Sequence, residues 1–325
     1  MSGSKANSFS SYMKVSVIKK AVLQGLPSAS GMEIIDGVIY VVGDDSPYLY
    51  VLDHSLREIN KVELFQTEDF ESGRIPKNIK PDLETLTHLT IAGNKYLLVT
   101  GSGSDVNRDK GFLIKLPTKY NKKFVVQELN FKGLFDLLRM NEDIIGTDGE
   151  LNIEASTVTE DYFILFNRAN KKGVNTALVF NLEEFIVYLS ENPELIPFPV
   201  VIPYELKGIN NIPAGFSGAS SMGNQIFITA SVEDTDDAIS DGEVYGSFVG
   251  IMTAGKDALL KGSRQEVLSA IERYAIVEEN EVPIPLKIES ISVYEKENDK
   301  EIIALAVADN DLGSSELLML QINLD

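Results

Sequence analysis

Three glutamates recur in one local setting. They stand in Asp82-Leu83-Glu84-Thr85-Leu86, Asn152-Ile153-Glu154-Ala155-Ser156 and Lys287-Ile288-Glu289-Ser290-Ile291. Each is framed by small or apolar residues and opens a short β-type run. Two further stretches share the frame with Gly in the Glu place: Leu26-Pro27-Ser28-Ala29-Ser30-Gly31-Met32 and Ala214-Gly215-Phe216-Ser217-Gly218. Carboxylates that a repeat brings around one axis repel each other unless a cation or hydrogen bonds compensate. The chain has no Cys and only His54 and His88, so ligands would be oxygens and the ion a hard one, Ca²⁺ before Mg²⁺. The expected metal set is Glu84, Glu154 and Glu289, helped by Asn152 or Asn310. Glu154 is also the candidate catalytic base. The competing reading is structural: each Glu accepts backbone N–H groups from a neighbouring repeat and pins the ring. Arg74, Lys80 and Arg168 are the candidates for gripping an anionic substrate, against the alternative of solvated surface charge.

Composition narrows the field. The formal charge is −20, which disfavours nucleic acid and anionic membrane surfaces as partners. No apolar run is long enough to span a bilayer. Ser217, Ser220 and Ser221 lack a Gly-x-Ser-x-Gly elbow and a His in triad context, so serine catalysis is not expected. Gly101-Ser102-Gly103-Ser104 could cradle a phosphate, but no Lys-Ser/Thr follows it. The acidic loop from Val232 to Glu243 has the composition of a calcium loop without EF-hand spacing. No organic cofactor is expected. The partner would be a small anionic molecule or a protein ligand, and the chain a monomer. Residues 1–12 read as a disordered leader or a cloning scar. Met13 as the native start implies a cytoplasmic protein; a removed signal implies a periplasmic or secreted one.

The elements that must position these residues are strands. Val15 to Val22 is a lone strand. Four strands then follow from Gly31 to Phe65, with Asp36-Gly37 as a hairpin turn. The same order repeats from Glu84 to Leu129, from Ile153 to Leu206 and from Ser217 to Val277. The last unit, Ile288 to Ile322, is one strand short. Helices are expected at Gly133–Met140, Leu182–Ser190 and near Arg264–Ile271. A lone first strand and an incomplete last unit predict an all-β protein, a single β-propeller over residues 13–325. It would have five four-stranded blades, the N-terminal strand closing the last. Six blades is the alternative, if Gly133–Gly149 holds weak strands. In such a blade the start of the innermost strand and the loop between strands two and three share one face. That face collects Asp44, Asp45, Asp105, Asp109, Arg168, Glu233 and Asp309 beside the three glutamates.

With these anchors the chain resembles bacterial β-propellers of the esterase-like phytase and SdiA-regulated kind, whose Leu-Glu-Gly-φ anchors are echoed around Glu84, Glu154 and Glu289. Thr85, Ala155 and Ser290 stand where that anchor has Gly. A more distant similarity is to calcium-dependent lactonases of the gluconolactonase type. Both resemblances imply a divalent-metal-dependent hydrolase of phosphate esters or lactones. The lactonase resemblance implies a channel metal held here by Glu84, Asn152 and Asp309 or Asn310. The alternative is a non-catalytic propeller that binds a ligand or a protein.

Overall fold

The structure, a computed structural model, describes residues 12–67, 74–169, 173–190, 194–235, 242–253, 271, 273–309 and 314–325. The β-branched and aromatic runs form strands throughout. The first is β1 (Met13–Leu23). Then come β2 (Ala29–Ile35), β3 (Val38–Gly43), β4 (Tyr48–Leu52) and β5 (Glu58–Glu63), which pair in that order as an antiparallel meander. The Asp36-Gly37 turn joins β2 to β3 with φ of 52° and 77°, the left-handed pair such a hairpin requires. A second meander holds β6 (Leu83–Ile91), β7 (Asn94–Gly101), β8 (Lys110–Lys115) and β9 (Val125–Asn130). Helices α1 (Lys132–Arg139) and α2 (Glu142–Ile145) follow. A third meander holds β10 (Ile153–Val158), β11 (Tyr162–Asn167), β12 (Asn175–Asn181) and β13 (Val200–Tyr204), with α3 (Leu182–Ser190) before β13.

The remaining strands form one nine-stranded sheet. Its members are β14 (Ala214–Met222), β15 (Gln225–Asp234), β16 (Glu243–Thr253), β17 (Arg273–Glu279), β18 (Val282–Pro283), β19 (Lys287–Asn298), β20 (Glu301–Asp309), β21 (Ser315–Leu324) and β1. It consists of the meander β14 to β17 and the unit β19-β20-β21-β1. The two meet at a short parallel pairing of β1 with β17, and β18 pairs with β17. The N-terminal strand thus completes the last unit antiparallel to β21, from Met13 opposite Leu324 to Leu23 opposite Ser315. Residues 133–149 contain α1, α2 and turns, and no strand. The helix expected near Arg264–Ile271, most of the acidic loop and the leader 1–11 lie outside the described residues. Among described residues no helix is long and apolar enough to cross a membrane.

The innermost strands form a closed ring. β2 packs on β6, β6 on β10, β10 on β14, β14 on β19, and β19 back on β2. A hydrogen bond crosses every junction. Ser30 Oγ donates to the Leu83 carbonyl at 2.5 Å, and Thr87 Oγ1 pairs with Ser156 Oγ. Ser221 Oγ donates to the Val158 carbonyl, and Ser217 Oγ to that of Ile288 at 2.6 Å. The Met32 N–H donates to Ser290 Oγ at 3.1 Å. Apolar clusters are wedged between sheets adjacent in the ring, such as the one in which Phe166 of β11 meets Phe216 of β14 at 4.9 Å between centroids. Burial falls outward: β10 is buried almost throughout, whereas β5 and β9 are largely exposed and carry charged side chains. Charge on an outer strand keeps its free edge from pairing with other chains.

Every innermost strand carries a β-bulge at the same place. The ladder skips Ser30 in β2, Glu84 in β6, Glu154 in β10, Ser217 in β14 and Glu289 in β19. An extra residue leaves the pairing pattern and re-aims its side chain. This corrects the sequence alignment of the repeats. Gly31 and Gly218 do not replace the glutamates; Ser30 and Ser217 do, and the glycines match Thr85, Ala155 and Ser290. The glycines answer a different need. A Cβ on Gly31 would lie 2.9 Å from the Leu86 Cβ, and one on Gly218 2.6 Å from the Ser290 Cα. Substituting Gly218→Ala should therefore overpack the β14–β19 junction and lower stability by roughly 1–3 kcal/mol. The check is the urea midpoint at unchanged m-value. An unchanged midpoint would mean that the strands do not approach this closely.

Candidate functional site: a charged mouth of the ring

Bulges at the starts of the inner strands and loops between second and third strands place ionisable side chains around one end of the ring. One half centres on Lys80, whose side chain is 6% exposed. Its ammonium pairs with Asp44, with Asp82 at 2.9 Å and with Asp45 at 3.5 Å. The other oxygen of Asp82 accepts from Arg108 at 2.7 Å and from Ser102 Oγ at 2.5 Å. Asp45 accepts from Ser28 Oγ at 3.0 Å and pairs with Arg74. Ser28 and Asp82 each stand just before an inner strand with φ of 44° and 55°. Non-glycine residues hold that conformation at a cost, and such strain collects at functional sites.

The second half centres on Arg168, from the loop after β11. Its guanidinium lies 2.7 Å from Glu233 and 3.6 Å from Glu154. Lys287, at the start of β19, reaches Glu289 at 3.0 Å and Glu233 at 3.5 Å. Asn152 Nδ2 donates to Glu154 Oε1 at 2.6 Å. A Cβ on Gly215 would fall 2.5 Å from the Arg168 Cγ, so glycine there leaves room for the arginine.

Glu84 joins the halves. Burial, then the charges of Glu154, Asp82 and Asp44, push its pKa well above the carboxylate range, against the pull of Lys80. Burial raises Glu289 to about 8, with Glu154 adding and Lys287 and Arg168 opposing. Burial raises Asp44 to about 6, Lys80 opposing and Asp45 and Asp82 adding. Among the described residues the Glu84 carboxylate accepts no hydrogen bond and makes no ion pair. Asp44 Oδ1 and Glu289 Oε2 are buried without a partner. Carboxylate oxygens of Asp44, Asp82 and Glu84 all lie within 4.8 Å of one another. Two orphaned oxygens and an unpaired carboxylate, all hard oxygen donors, are of the kind that would hold a hard cation.

The three expected glutamates lie at one mouth, with the Glu154 charge acting on both Glu84 and Glu289, but of the three only Glu84 stands in the tight carboxylate group, with Asp44 and Asp82. Asn152, expected as a metal ligand, donates to Glu154, and Asn310 lies outside the described residues. Lys80, Arg168 and Arg74 are at the mouth, yet each is paired with the protein's own carboxylates. Among the described residues no anchor Glu accepts a backbone N–H from a neighbouring repeat; instead Ser30 and Ser217 fix the carbonyls of Leu83 and Ile288, each immediately before a bulged Glu. The phosphate-cradle reading of Gly101–Ser104 is not supported. The N–H groups of Ser102, Gly103 and Ser104 are taken by Asp82 O, Arg108 O and Ser102 Oγ, and the hydroxyls turn to Asp82 and Arg108. Asp82, Arg108 and Lys287 were not singled out by the sequence. A signal existed in Lys80-x-Asp82 and Lys287-x-Glu289, since residues two apart in a strand share a face.

Meanders around a closed ring with one charged mouth define a β-propeller-type protein. The chain belongs to the DUF6929 family, described as a family of unknown function, whose model matches residues 25–322. No curated protein matches it. Among solved structures it is similar to Myxococcus xanthus glutaminyl cyclase, at 8% identity and a TM-score of 0.46, over 96% of this chain and 98% of that one. It is similar to Cellvibrio cellulosa α-L-arabinanase complexed with arabinohexaose, at 11% identity and 0.46, over 94% and 96%. The values for native Bacillus subtilis arabinanase Arb43A are 11%, 0.41, 94% and 97%.

Removing one partner of a buried ion pair strands the other. Arg168→Met should destabilise the protein by roughly 3–5 kcal/mol at neutral pH. Adding Glu154→Gln should recover much of that, because Glu233 keeps Lys287. Chemical denaturation of the single and double variants checks the coupling.

Proposed function

We propose that the chain is a five-bladed β-propeller whose charged mouth binds a divalent cation, calcium before magnesium, and through it an oxygen-rich ligand. The blades are the three separate meanders, the meander β14–β17 and the unit closed by β1. The carrying observation is the half-buried Glu84 carboxylate, within 4.8 Å of those of Asp44 and Asp82 and with no hydrogen bond or ion pair among the described residues. The mouth sets seven carboxylates (Asp44, Asp45, Asp82, Glu84, Glu154, Glu233, Glu289) against five cations (Arg74, Lys80, Arg108, Arg168, Lys287). Asp309, which also acts on Arg74, adds to this excess of negative charge, and a divalent ion would offset part of it. Without an ion, protons on the raised carboxyls compensate instead. Glu84 and Asp44 Oδ1 would supply the free donors, with Glu289 held in reserve by Lys287. Asp82 is already bonded through both oxygens.

Hydrolysis of a phosphate ester or lactone is the reaction class the resemblance implies. A bound divalent ion would polarise the substrate oxygen and acidify a water. Glu154, fixed by Asn152 and Arg168, would take the proton as general base. Because the cationic side chains of the mouth are engaged by carboxylates, the ligand would be held by the ion and by Asn and Ser groups. That same engagement favours a second reading, a propeller that binds its ligand without turning it over.

Cation binding should expel protons. In titration calorimetry of Ca²⁺ near pH 7, the heat should vary with the ionisation enthalpy of the buffer, reporting about one to two protons released per ion. Glu84→Gln should abolish the binding while the fold is kept. Absence of any heat or melting shift at millimolar Ca²⁺ or Mg²⁺ would remove the ion from this account.

The pH dependence has a fixed sign. The Glu289 carboxyl is raised to about 8 in the folded chain from an ordinary 4.5. Such a group contributes most below its unfolded pKa, and its contribution is lost as pH rises through the folded value. In chelator the melting temperature should fall between about pH 5 and 8. Calcium should flatten that slope, and Glu289→Gln should flatten it without calcium. Should an ion bind, phosphate esters and lactones offered to wild type and Glu154→Gln divide the two readings. Turnover by neither leaves binding alone, and equal turnover in both removes Glu154 as the base.

A further inference from the structure

The inner strands have a second end, and the ring holds a cavity there. It encloses about 320 Å³, in the range of small-molecule sites. All five inner strands contribute to its wall, and α3 adds Leu182 and Ile186. It lies beyond the bulges: His88 is four residues along β6 from Glu84, roughly 13 Å at the rise of a strand. The two ends of the ring are thus separate chemical environments.

The wall is mixed: Ile34, Leu89, Val158, Met222 and Val293 are apolar, His88, Thr90, Ser221 and Ser292 are polar, and Glu33 is the one acidic residue. One Glu33 oxygen accepts the His88 backbone N–H at 3.2 Å. No cation pairs with this carboxylate among the described residues. Its neighbour His88 is kept neutral: burial, then Lys95, lower its pKa, with Asp36 opposing. A lone carboxylate in a half-apolar cavity is costly to keep ionised. Burial accordingly raises Glu33 to about 7. A ligand that brings a positive charge and an apolar body would satisfy both the carboxylate and the wall.

We propose that this opposite mouth is a second ligand site, for small organic ammonium compounds, with Glu33 as counter-ion and Ile34, Leu89, Val158, Val293 and Ile186 of α3 as the surface for the apolar body. The site is independent of the cation site, because it shares no residue with it.

The two histidines make the test direct, since His88 lines the cavity and His54 is exposed on a turn. The probe is 2-phenylethylammonium; the matched neutral control is 2-phenylethanol. Both are titrated against the full chain in EDTA, with imidazole C–H resonances recorded by NMR. The ammonium should shift His88 and leave His54 unmoved, with a dissociation constant of about 1 mM or tighter. The alcohol should bind at least about tenfold more weakly, and Glu33→Gln should remove that difference. The Gln variant keeps an acceptor for the His88 N–H. If it does not fold, the comparison of ammonium and alcohol on the wild type decides. No His88 shift, or equal affinity for the two probes, overturns the proposal. Because EDTA is present throughout, failure here is distinct from failure of the cation site.

Discussion

The bulge at the start of each inner strand is the constraint on which the rest depends. A regular strand would alternate its side chains between the two faces of a sheet, into the wedges of apolar core. One extra residue breaks that alternation and frees a side chain for the axis of the ring. The five bulges carry two kinds of residue. Ser30 and Ser217 donate to a carbonyl of the next inner strand and hold the ring together. Glu84, Glu154 and Glu289 lie at one mouth. Serine and glutamate thus differ at equivalent positions: serine bonds to the next inner strand, and glutamate brings charge to the mouth.

That division explains the electrostatics of the mouth. Three carboxylates at the axis would repel and stay protonated if left alone. The loops between second and third strands bring Asp44, Asp45, Arg108, Arg168 and Glu233 to the same end, and Lys80 and Lys287 arrive with the inner strands. Most charges are matched in pairs such as Arg168 with Glu233 at 2.7 Å. The mismatch falls on Glu84, Asp44 and Glu289. A network built only for stability would gain by replacing them with apolar residues, since buried ion pairs seldom repay their desolvation. Carboxylates left short of partners are what a site that exchanges protons for a cation needs.

The opposite mouth shows the same ring put to a different use. There β2, β6, β10 and β14 have returned to regular pairing, and apolar side chains such as Ile34, Leu89 and Val158 share the wall with Thr90, Ser221 and Ser292. Helix α3, held by the stacking of Phe185 on Phe163 at 4.0 Å, supplies part of the wall. One architecture therefore yields a densely charged mouth where strands begin with a bulge and a mixed one with a single acidic residue where they end.

Much of this was written in local sequence. The Asp36-Gly37 hairpin, the strand at Val15–Val22, the helix at Leu182–Ser190 and the repeated anchors were legible because turn chemistry, β-branched runs and periodicity act over a few residues. The convergence of Glu84, Glu154 and Glu289 was legible too, once a repeat was granted. Register was not. A bulge shifts pairing by one residue, and sequence similarity alone aligned Gly31 with Glu84, where the ladder aligns Ser30. Ion pairing was not legible either: Arg168 meets Glu233 across 65 positions, so its role as a counter-ion could not be read from neighbours. Sequence by itself determined the strands, the repeat and the residue types at its anchors, because those follow from local steric and hydrogen-bonding preferences. Only the closed ring decided which carboxylates are neutralised and which stay unpaired, because burial and charge proximity are properties of the assembled sheets.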